Sequence, residues 1–150
     1  MKGRMRILKG PGSSGKSTTI KATFDSFLKW AIKYPQKQKA LTVHYLYLND
    51  REVAAVVKVG KESIGIATRG DTRDQVMLGL NFFADHQCKI VLCATRSSGE
   101  SLDAAIPFAK EHRFEPTEVL KLKINGIAAQ QEANLEMSKK LKKWLVSACS

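Results

Sequence analysis

The sequence predicts a three-layer α/β/α fold, in which a mostly parallel β-sheet lies between two layers of helices. The main observation is that strand-like segments alternate with segments of helical periodicity along most of the chain. In addition, Lys89–Ala94 (KIVLCA) is a continuous apolar run, which is typical of a strand buried on both faces of a parallel sheet. The length of 150 residues favours a single domain spanning residues 1–150.

The first predicted element is a strand at Met5–Lys9, which runs directly into a glycine-rich segment. A helix is expected to begin near Lys16, because apolar residues recur at helical spacing from Ile20 to Ile32. We expect Pro35 to end this helix, since proline lacks the backbone N–H that helical hydrogen bonding requires.

Three strand-like segments follow. Leu41–Leu48 is rich in β-branched and aromatic residues, and Asn49–Asp50 marks a turn. Val53–Val59 and Ser63–Ala67 flank a glycine-containing turn, which predicts an antiparallel hairpin over 53–67. A helix over the first of these two runs is the alternative, but its β-branched valines argue against it.

The second half of the chain predicts two further helices. Asp71 or Thr72 would cap a helix that extends to about His86. Its buried stripe is expected to comprise Val76, Leu80 and Phe83. The next helix begins at Ser101, and its inward-facing residues are expected to be Leu102, Ala105, Phe108 and Ala109.

The C-terminal part predicts one strand and one helix. Val119–Ile124 alternates between apolar and polar residues, as a half-buried strand does. From about Ala128 onward the pattern is helical. Its apolar face is expected to include Leu135, Leu141, Trp144 and Leu145.

The net charge of +11 is unevenly distributed. Residues 1–50 contain ten Lys or Arg and two acids, and Lys139–Lys143 contains four lysines. A basic surface attracts polyanions, which makes nucleic acid or an acidic protein a candidate partner. A solvated surface without a partner is the simpler interpretation, and an amphipathic C-terminal helix accounts for the lysine cluster.

Cysteine usage and hydropathy predict a cytoplasmic protein. The three cysteines form no C-x-x-C pair and are too few for a disulfide scaffold, which favours a reducing compartment. The first ten residues, MKGRMRILKG, lack the apolar core of a signal peptide. No segment approaches the roughly 20 apolar residues that cross a membrane, so we expect no membrane association.

The segment Gly10–Ser17, called the glycine-rich loop here, reads GPGSSGKS and fits the pattern G-x-x-x-x-G-K-[ST] in full. Its glycines permit a tight turn whose backbone N–H groups point inward at an anion, and the following helix adds its positive end. The residues expected to bind the phosphates of a nucleoside triphosphate are Gly10, Pro11, Gly12, Ser13, Ser14, Gly15, Lys16, Ser17 and Thr18.

A competing pattern is present in the same residues. Gly10, Gly12 and Gly15 also spell G-x-G-x-x-G, the dinucleotide-binding pattern. However, that pattern does not require the Lys16–Ser17 pair, and it needs an acid about 20 residues further on. The nearest strand-end acid is Asp50, 35 residues beyond Gly15. Both observations favour a triphosphate over a dinucleotide.

GPGSSGKST, with the strand and helix around it, resembles the P-loop NTPase superfamily over about the first 30 residues. The resemblance implies that Lys16 contacts the β and γ phosphates and contributes to catalysis, and that Ser17 ligates Mg²⁺. It also implies a doubly wound sheet with the loop-bearing strand near its middle. The superfamily includes ATPases, GTPases and nucleotide kinases, and the resemblance selects none of them.

Phosphoryl transfer also requires an acid near the metal. The apolar strand Ile90–Ala94 ends in Thr95–Arg96, which departs from the superfamily's strand-then-Asp pattern. Asp71 follows the Ile64–Ala67 run after a short loop and is the favoured metal ligand and catalytic acid. Asp50 is the second metal-ligand candidate. The alternative for each aspartate is that it merely caps a turn or a helix.

Arg96 is the candidate for stabilising charge on the γ-phosphate, because it follows the buried strand on the expected ligand side. Ser97 is a candidate hydrogen-bond donor to the same phosphate. Arg69 and Arg73 compete with Arg96, and a surface arginine without a catalytic role is the alternative for all three.

The sequence therefore predicts a Mg²⁺-dependent ATPase. ATP is favoured over GTP, because the chain lacks the Asn/Thr-Lys-x-Asp motif with which GTPases read guanine. A nucleotide or nucleoside kinase is one alternative, since Asp50–Arg51 resembles an acceptor-site Asp-Arg pair. The other alternative is a non-enzymatic module that binds ATP and then nucleic acid or protein. The sequence leaves open whether an oligomer completes the site.

Overall fold

Six strands and four helices are formed by residues 2–33 and 40–149, the part of the chain described by the computed structural model. The strands are β1 Gly3–Lys9, β2 Leu41–Leu48, β3 Val53–Val59, β4 Glu62–Ala67, β5 Ile90–Thr95 and β6 Phe114–Leu120. The helices are α1 Lys16–Lys33, α2 Arg73–Asp85, α3 Glu100–Glu111 and α4 Ile127–Ala148. Pro35, the predicted end of the first helix, lies outside the described residues.

All six strands belong to one sheet in the order β2-β3-β4-β5-β1-β6. Strands β4, β5, β1 and β6 are parallel to one another. Strands β2, β3 and β4 form an antiparallel meander, which contains the predicted hairpin. The α/β class, the mostly parallel sheet and the antiparallel hairpin are therefore confirmed.

The helices cover both faces of the sheet. On one face, α1 and α4 pack with alternate residues of the strands around Phe24, Phe27 and Leu145. On the other face, α2 and α3 pack around Leu80, Phe83 and Phe108. None of the helices in the described part of the chain is long and apolar enough to cross a membrane.

The predicted strand at Val119–Ile124 is wrong in position. The strand is Phe114–Leu120, which pairs along its whole length with β1. Only Phe114 is buried in it, because β6 is the edge strand, so no clear apolar alternation marks it in the sequence. Pro116 is compatible with this edge position, since it cannot donate a hydrogen bond to a further strand.

Two smaller predictions also need correction. Helix α3 begins at Glu100 rather than at Ser101. Leu135 is 53% exposed and does not belong to the buried face of α4. The buried stripe of that helix comprises Asn134, Ser138, Leu141 and Leu145, so its first half is polar.

The strand that leads into the glycine-rich loop, β1, is fifth of six in the sheet. It therefore lies next to the edge and not near the middle, where the resemblance placed it. Among the described strands, only β6 lies beyond β1, and the chain after β6 passes along the loop, where Lys121 and Gln130 contact Ser14. This position brings the start of α4 against the glycine-rich loop.

Candidate functional site

The glycine-rich loop joins the carboxyl end of β1 to the start of α1. The Gly10 N–H donates to the carbonyl of Thr95 at 3.2 Å, and the Thr19 N–H donates to the carbonyl of Gly15 at 2.9 Å. Between these anchors, Ser13 and Gly15 have φ angles of 63° and 86°, which lie in the left-handed region. The backbone is thus turned sharply just before the helix begins, as an anion-binding turn requires.

A cavity of about 370 Å³ lies against this loop. Its walls come from residues 12–18, from the connection between β4 and α2, and from the first turns of α4. The contributing side chains outside the loop include Thr68, Asp71, Gln130 and Asn134. Segments more than 50 residues apart in sequence therefore meet at one site, within the usual size range of small-ligand pockets.

The Lys16 side chain lies folded against its own loop. Its Nζ donates to the carbonyl oxygens of Gly10 at 2.7 Å and Pro11 at 3.0 Å. Burial lowers the pKa of Lys16, while the nearby Asp71 carboxylate acts in the opposite direction. An ammonium group has three donors, so two carbonyl bonds leave one donor for a ligand.

The Ser14 carbonyl accepts two hydrogen bonds, whereas its hydroxyl forms none with the described residues. The Lys121 Nζ and the Gln130 Nε2 donate to the Ser14 carbonyl at 2.9 Å and 3.1 Å. The Ser14 hydroxyl is buried and has no hydrogen-bond partner among the described residues. A buried polar group without a partner is costly, and this hydroxyl is enclosed beside Gly10 although Ser14 itself lines the cavity.

Ser17 and Asp71 lie on the same cavity. The Ser17 hydroxyl donates to the carbonyl of Thr68 at 3.5 Å, a long bond. Asp71 is not the helix cap, because the Thr72 hydroxyl oxygen accepts from the Gln75 N–H at 3.2 Å. The Asp71 carboxylate instead forms an ion pair with Arg96, in which Nε and Oδ1 are 3.1 Å apart.

The structure brings Arg96 to the glycine-rich loop. A Cβ atom added at Gly12 would lie 2.6 Å from an Arg96 guanidinium nitrogen, so the arginine covers this glycine closely. The Arg96 N–H donates to the Ser101 hydroxyl at 2.9 Å, which fixes the backbone after β5. Ser97, the next residue, is exposed and is not part of the cavity wall.

The Arg69 side chain contacts other residues and not the glycine-rich loop. It forms an ion pair with Glu52, and its guanidinium lies 4.1 Å from the centre of the Tyr47 ring. Arg73 is the exposed first residue of α2. None of the three arginines lines the cavity itself, but only Arg96 is shown in contact with residues that do, namely Gly12 and Asp71.

Asp50 lies in a neighbouring cavity of about 550 Å³, between α1 and the β2–β3 turn. This second cavity shares Ser17 and Thr18 with the first one. Its other charged residues are Lys21, Asp25, Arg51 and Glu52. The structure therefore separates the two metal-ligand candidates, with Asp71 in the first cavity and Asp50 in the second.

Three residues at the site belong to no recognisable sequence motif and were not predicted. They are Lys121, which is 3% exposed, together with Gln130 and Asn134. Gln130 accepts from the Ile124 N–H at 2.8 Å, and it donates to the Asn134 side-chain oxygen at 2.7 Å. Burial lowers the pKa of Lys121. These residues attach the chain after β6 and the start of α4 to the carbonyl of Ser14.

Within residues 2–33 and 40–149, no three His, Cys, Asp or Glu side chains come together as a metal site. A Mg²⁺ ion at Ser17 and Asp71 would therefore depend on phosphate oxygens and water for its remaining ligands, as Mg²⁺ commonly does.

Comparisons with protein-family models, with curated protein sequences and with solved structures find no match to this chain.

Proposed function

We propose that this chain is a P-loop NTPase that binds a nucleoside triphosphate with Mg²⁺ at the glycine-rich loop and hydrolyses it, with ATP preferred. One observation carries the proposal. A single cavity unites residues 12–18 of the loop with Asp71, at the junction of β4 and α2. This combination supplies backbone N–H donors, an ammonium, a hydroxyl and a carboxylate, the groups that triphosphate and Mg²⁺ binding requires.

The loop residues divide the phosphate contacts among them. The turn at Ser13–Gly15 presents backbone N–H groups to the phosphates. Lys16 retains one ammonium proton beyond its two carbonyl bonds. Together with the N-terminus of α1, these groups favour a multiply charged anion.

In the proposal, Asp71 is a ligand of the metal and Arg96 is a cation that contacts the γ-phosphate. Asp71 would hold the metal with Ser17, and bound Mg²⁺ would neutralise phosphate charge. Arg96, which lies over Gly12, would stabilise negative charge on the γ-phosphate. Their ion pair is substantially exposed, and such pairs contribute only about 0–1 kcal/mol, so separating them on ligand binding costs little.

Calorimetric titration with MgATP and MgGTP tests the binding claim. Lys16→Ala removes a charge-assisted hydrogen bond and is expected to weaken ATP binding by about 10-fold or more. Lys29→Ala, at an exposed position of the same helix, is the matched control and should bind like the unaltered chain. Normal ATP binding by Lys16→Ala would show that the central claim is wrong.

Steady-state phosphate release tests the role of Arg96. Arg96→Ala is expected to lower kcat by about 100-fold, with a much smaller change in ATP affinity, because its charge acts on the transition state. Arg73→Ala, an exposed arginine outside the cavity, serves as the control. Equal turnover of Arg96→Ala and the control excludes the catalytic role.

The second cavity favours one alternative function, phosphotransfer to a small hydroxyl-bearing molecule. It adjoins the proposed metal ligand Ser17 and contains Asp50. In that reaction the acceptor oxygen forms a bond to the γ-phosphorus, the bond to the β–γ bridging oxygen breaks, and Asp50 takes the hydroxyl proton. The nucleoside diphosphate is the leaving group.

Product analysis with γ-labelled ATP separates the functions. We expect label in free phosphate without any acceptor, which is the ATPase outcome. Label transferred to members of a panel of nucleosides, nucleoside monophosphates and sugars would establish the phosphotransferase instead. Tight ATP binding with no turnover under any of these conditions would identify a binding module without enzymatic activity.

A further inference from the structure

A basic residue directly precedes each of four neighbouring parallel strands. These residues lie at the amino ends of the strands, whereas the glycine-rich loop lies at the carboxyl end of β1. Lys61 precedes β4, Lys89 precedes β5, Lys2 precedes β1 and Arg113 precedes β6. These strands are consecutive in the sheet order β4-β5-β1-β6. Arg4, the second residue of β1, adds a fifth cation. We call these five residues the basic row.

Backbone hydrogen bonds hold the row in place. The Lys89 N–H donates to the Ser63 carbonyl at 3.2 Å, and the Arg4 N–H donates to the Lys89 carbonyl at 2.7 Å. The Gly3 N–H donates to the Arg113 carbonyl at 3.0 Å. Because adjacent strands are about 4.8 Å apart, the four strand starts span roughly 14 Å.

Two surface cavities lie along the row. One, of about 270 Å³, is lined by Lys2, Arg4, Lys61 and Lys89 together with Glu62. The other, of about 530 Å³, shares Lys61 and Lys89 with it. Glu62 is the only carboxylate among the described residues that line them.

No member of the basic row forms an ion pair with another described residue. In the part of the chain that the structure describes, the ion pairs are Lys9–Glu118, Lys21–Asp25, Arg69–Glu52 and Arg96–Asp71. None of them involves a member of the basic row. Glu62 therefore lies among four cations without forming a close pair with any of them.

We propose that the basic row binds the phosphate backbone of nucleic acid, independently of base sequence. With one cation at the start of each of the four strands, the row can contact up to four phosphates of a duplex. Phe114, the aromatic residue beside it, is only 7% exposed, so contact with the backbone is favoured over base stacking. The proposal is independent of nucleotide hydrolysis, since the row lies at the other end of the strands.

The test is binding of a fluorescein-labelled 20-bp DNA duplex, measured by anisotropy between 50 and 200 mM salt. Four phosphate contacts predict a slope of about −3.6 for log K against log salt concentration. Lys61→Gln/Lys89→Gln should reduce that slope by about 1.8 and weaken binding at least about 10-fold. Lys139→Gln/Lys140→Gln removes two exposed lysines of α4 and should leave the slope unchanged.

Three results would overturn the proposal. The first is an unchanged slope for the row variant, and the second is an equal loss for the α4 variant. The third is tighter binding of poly-L-glutamate than of the duplex, which would identify an acidic protein surface as the partner. Circular dichroism of both variants, whose altered residues are exposed, checks that the fold is retained.

Discussion

At the scale of single residues, Gly15 shows how tightly the site is built. Its φ of 86° lies in the left-handed region, where a side chain is disfavoured. An added Cβ would also overlap the side-chain amide of Asn134, which is buried against the loop. The glycine in this motif therefore serves both the turn of the loop and its contact with α4.

Gly15→Ala is expected to lower the free energy of unfolding by about 2–4 kcal/mol, through left-handed strain and overpacking against Asn134. Urea denaturation measures this change. Adding Asn134→Ala removes the overlapping atoms, so the double variant should lose less than the two single losses combined. Strictly additive losses would show that the Asn134 contact does not limit this position.

At the scale of elements, α4 has a buried stripe that changes character along its length. Asn134 lies against Gly15 just before α1, and the Ser138 hydroxyl is hydrogen-bonded to the Thr23 hydroxyl of α1 at 3.1 Å. Leu141 and Leu145 continue the stripe into the apolar core. One helix thus supports the glycine-rich loop with amide groups and attaches itself to the sheet through leucines.

Leu145→Ala and Leu135→Ala test this division. Leu145 is fully buried, so its truncation should cost about 2–5 kcal/mol of unfolding free energy. Leu135 belongs to the same helix but is mostly exposed, so its truncation should change stability by less than about 0.5 kcal/mol. Guanidinium denaturation distinguishes these values, and equal effects would contradict the orientation of α4.

At the scale of the whole molecule, the amino ends and the carboxyl ends of the parallel strands form two chemically different surfaces. The carboxyl ends of β1, β4 and β5 lead into the glycine-rich loop, Asp71 and Arg96. The amino ends of the parallel strands carry the basic row. Parallel pairing creates this polarity, because it places the amino ends of all four strands on one side of the sheet and their carboxyl ends on the opposite side. The antiparallel β2 and β3 extend the sheet away from both sites.

Much of the fold could be predicted because its patterns are local. Helices α1 and α2, strand β5 and the hairpin each have enough apolar periodicity or continuity to be identified. The antiparallel pairing of β2 was also accessible, because only residues 49–52 separate it from β3, and a parallel neighbour needs a crossover of a dozen or more residues. Strand β6 was misplaced because an exposed edge strand leaves little apolar pattern.

The sequence by itself determined the glycine-rich loop, because the groups of that motif are consecutive in the chain. Only the tertiary structure decided that Asp71, rather than Asp50, lies in the same cavity as the loop. It also decided that Arg96 covers Gly12, and that Lys121 and Gln130 hold Ser14. Side chains from distant segments meet only where the order of the strands and the return of α4 bring them together, and no local pattern encodes that order.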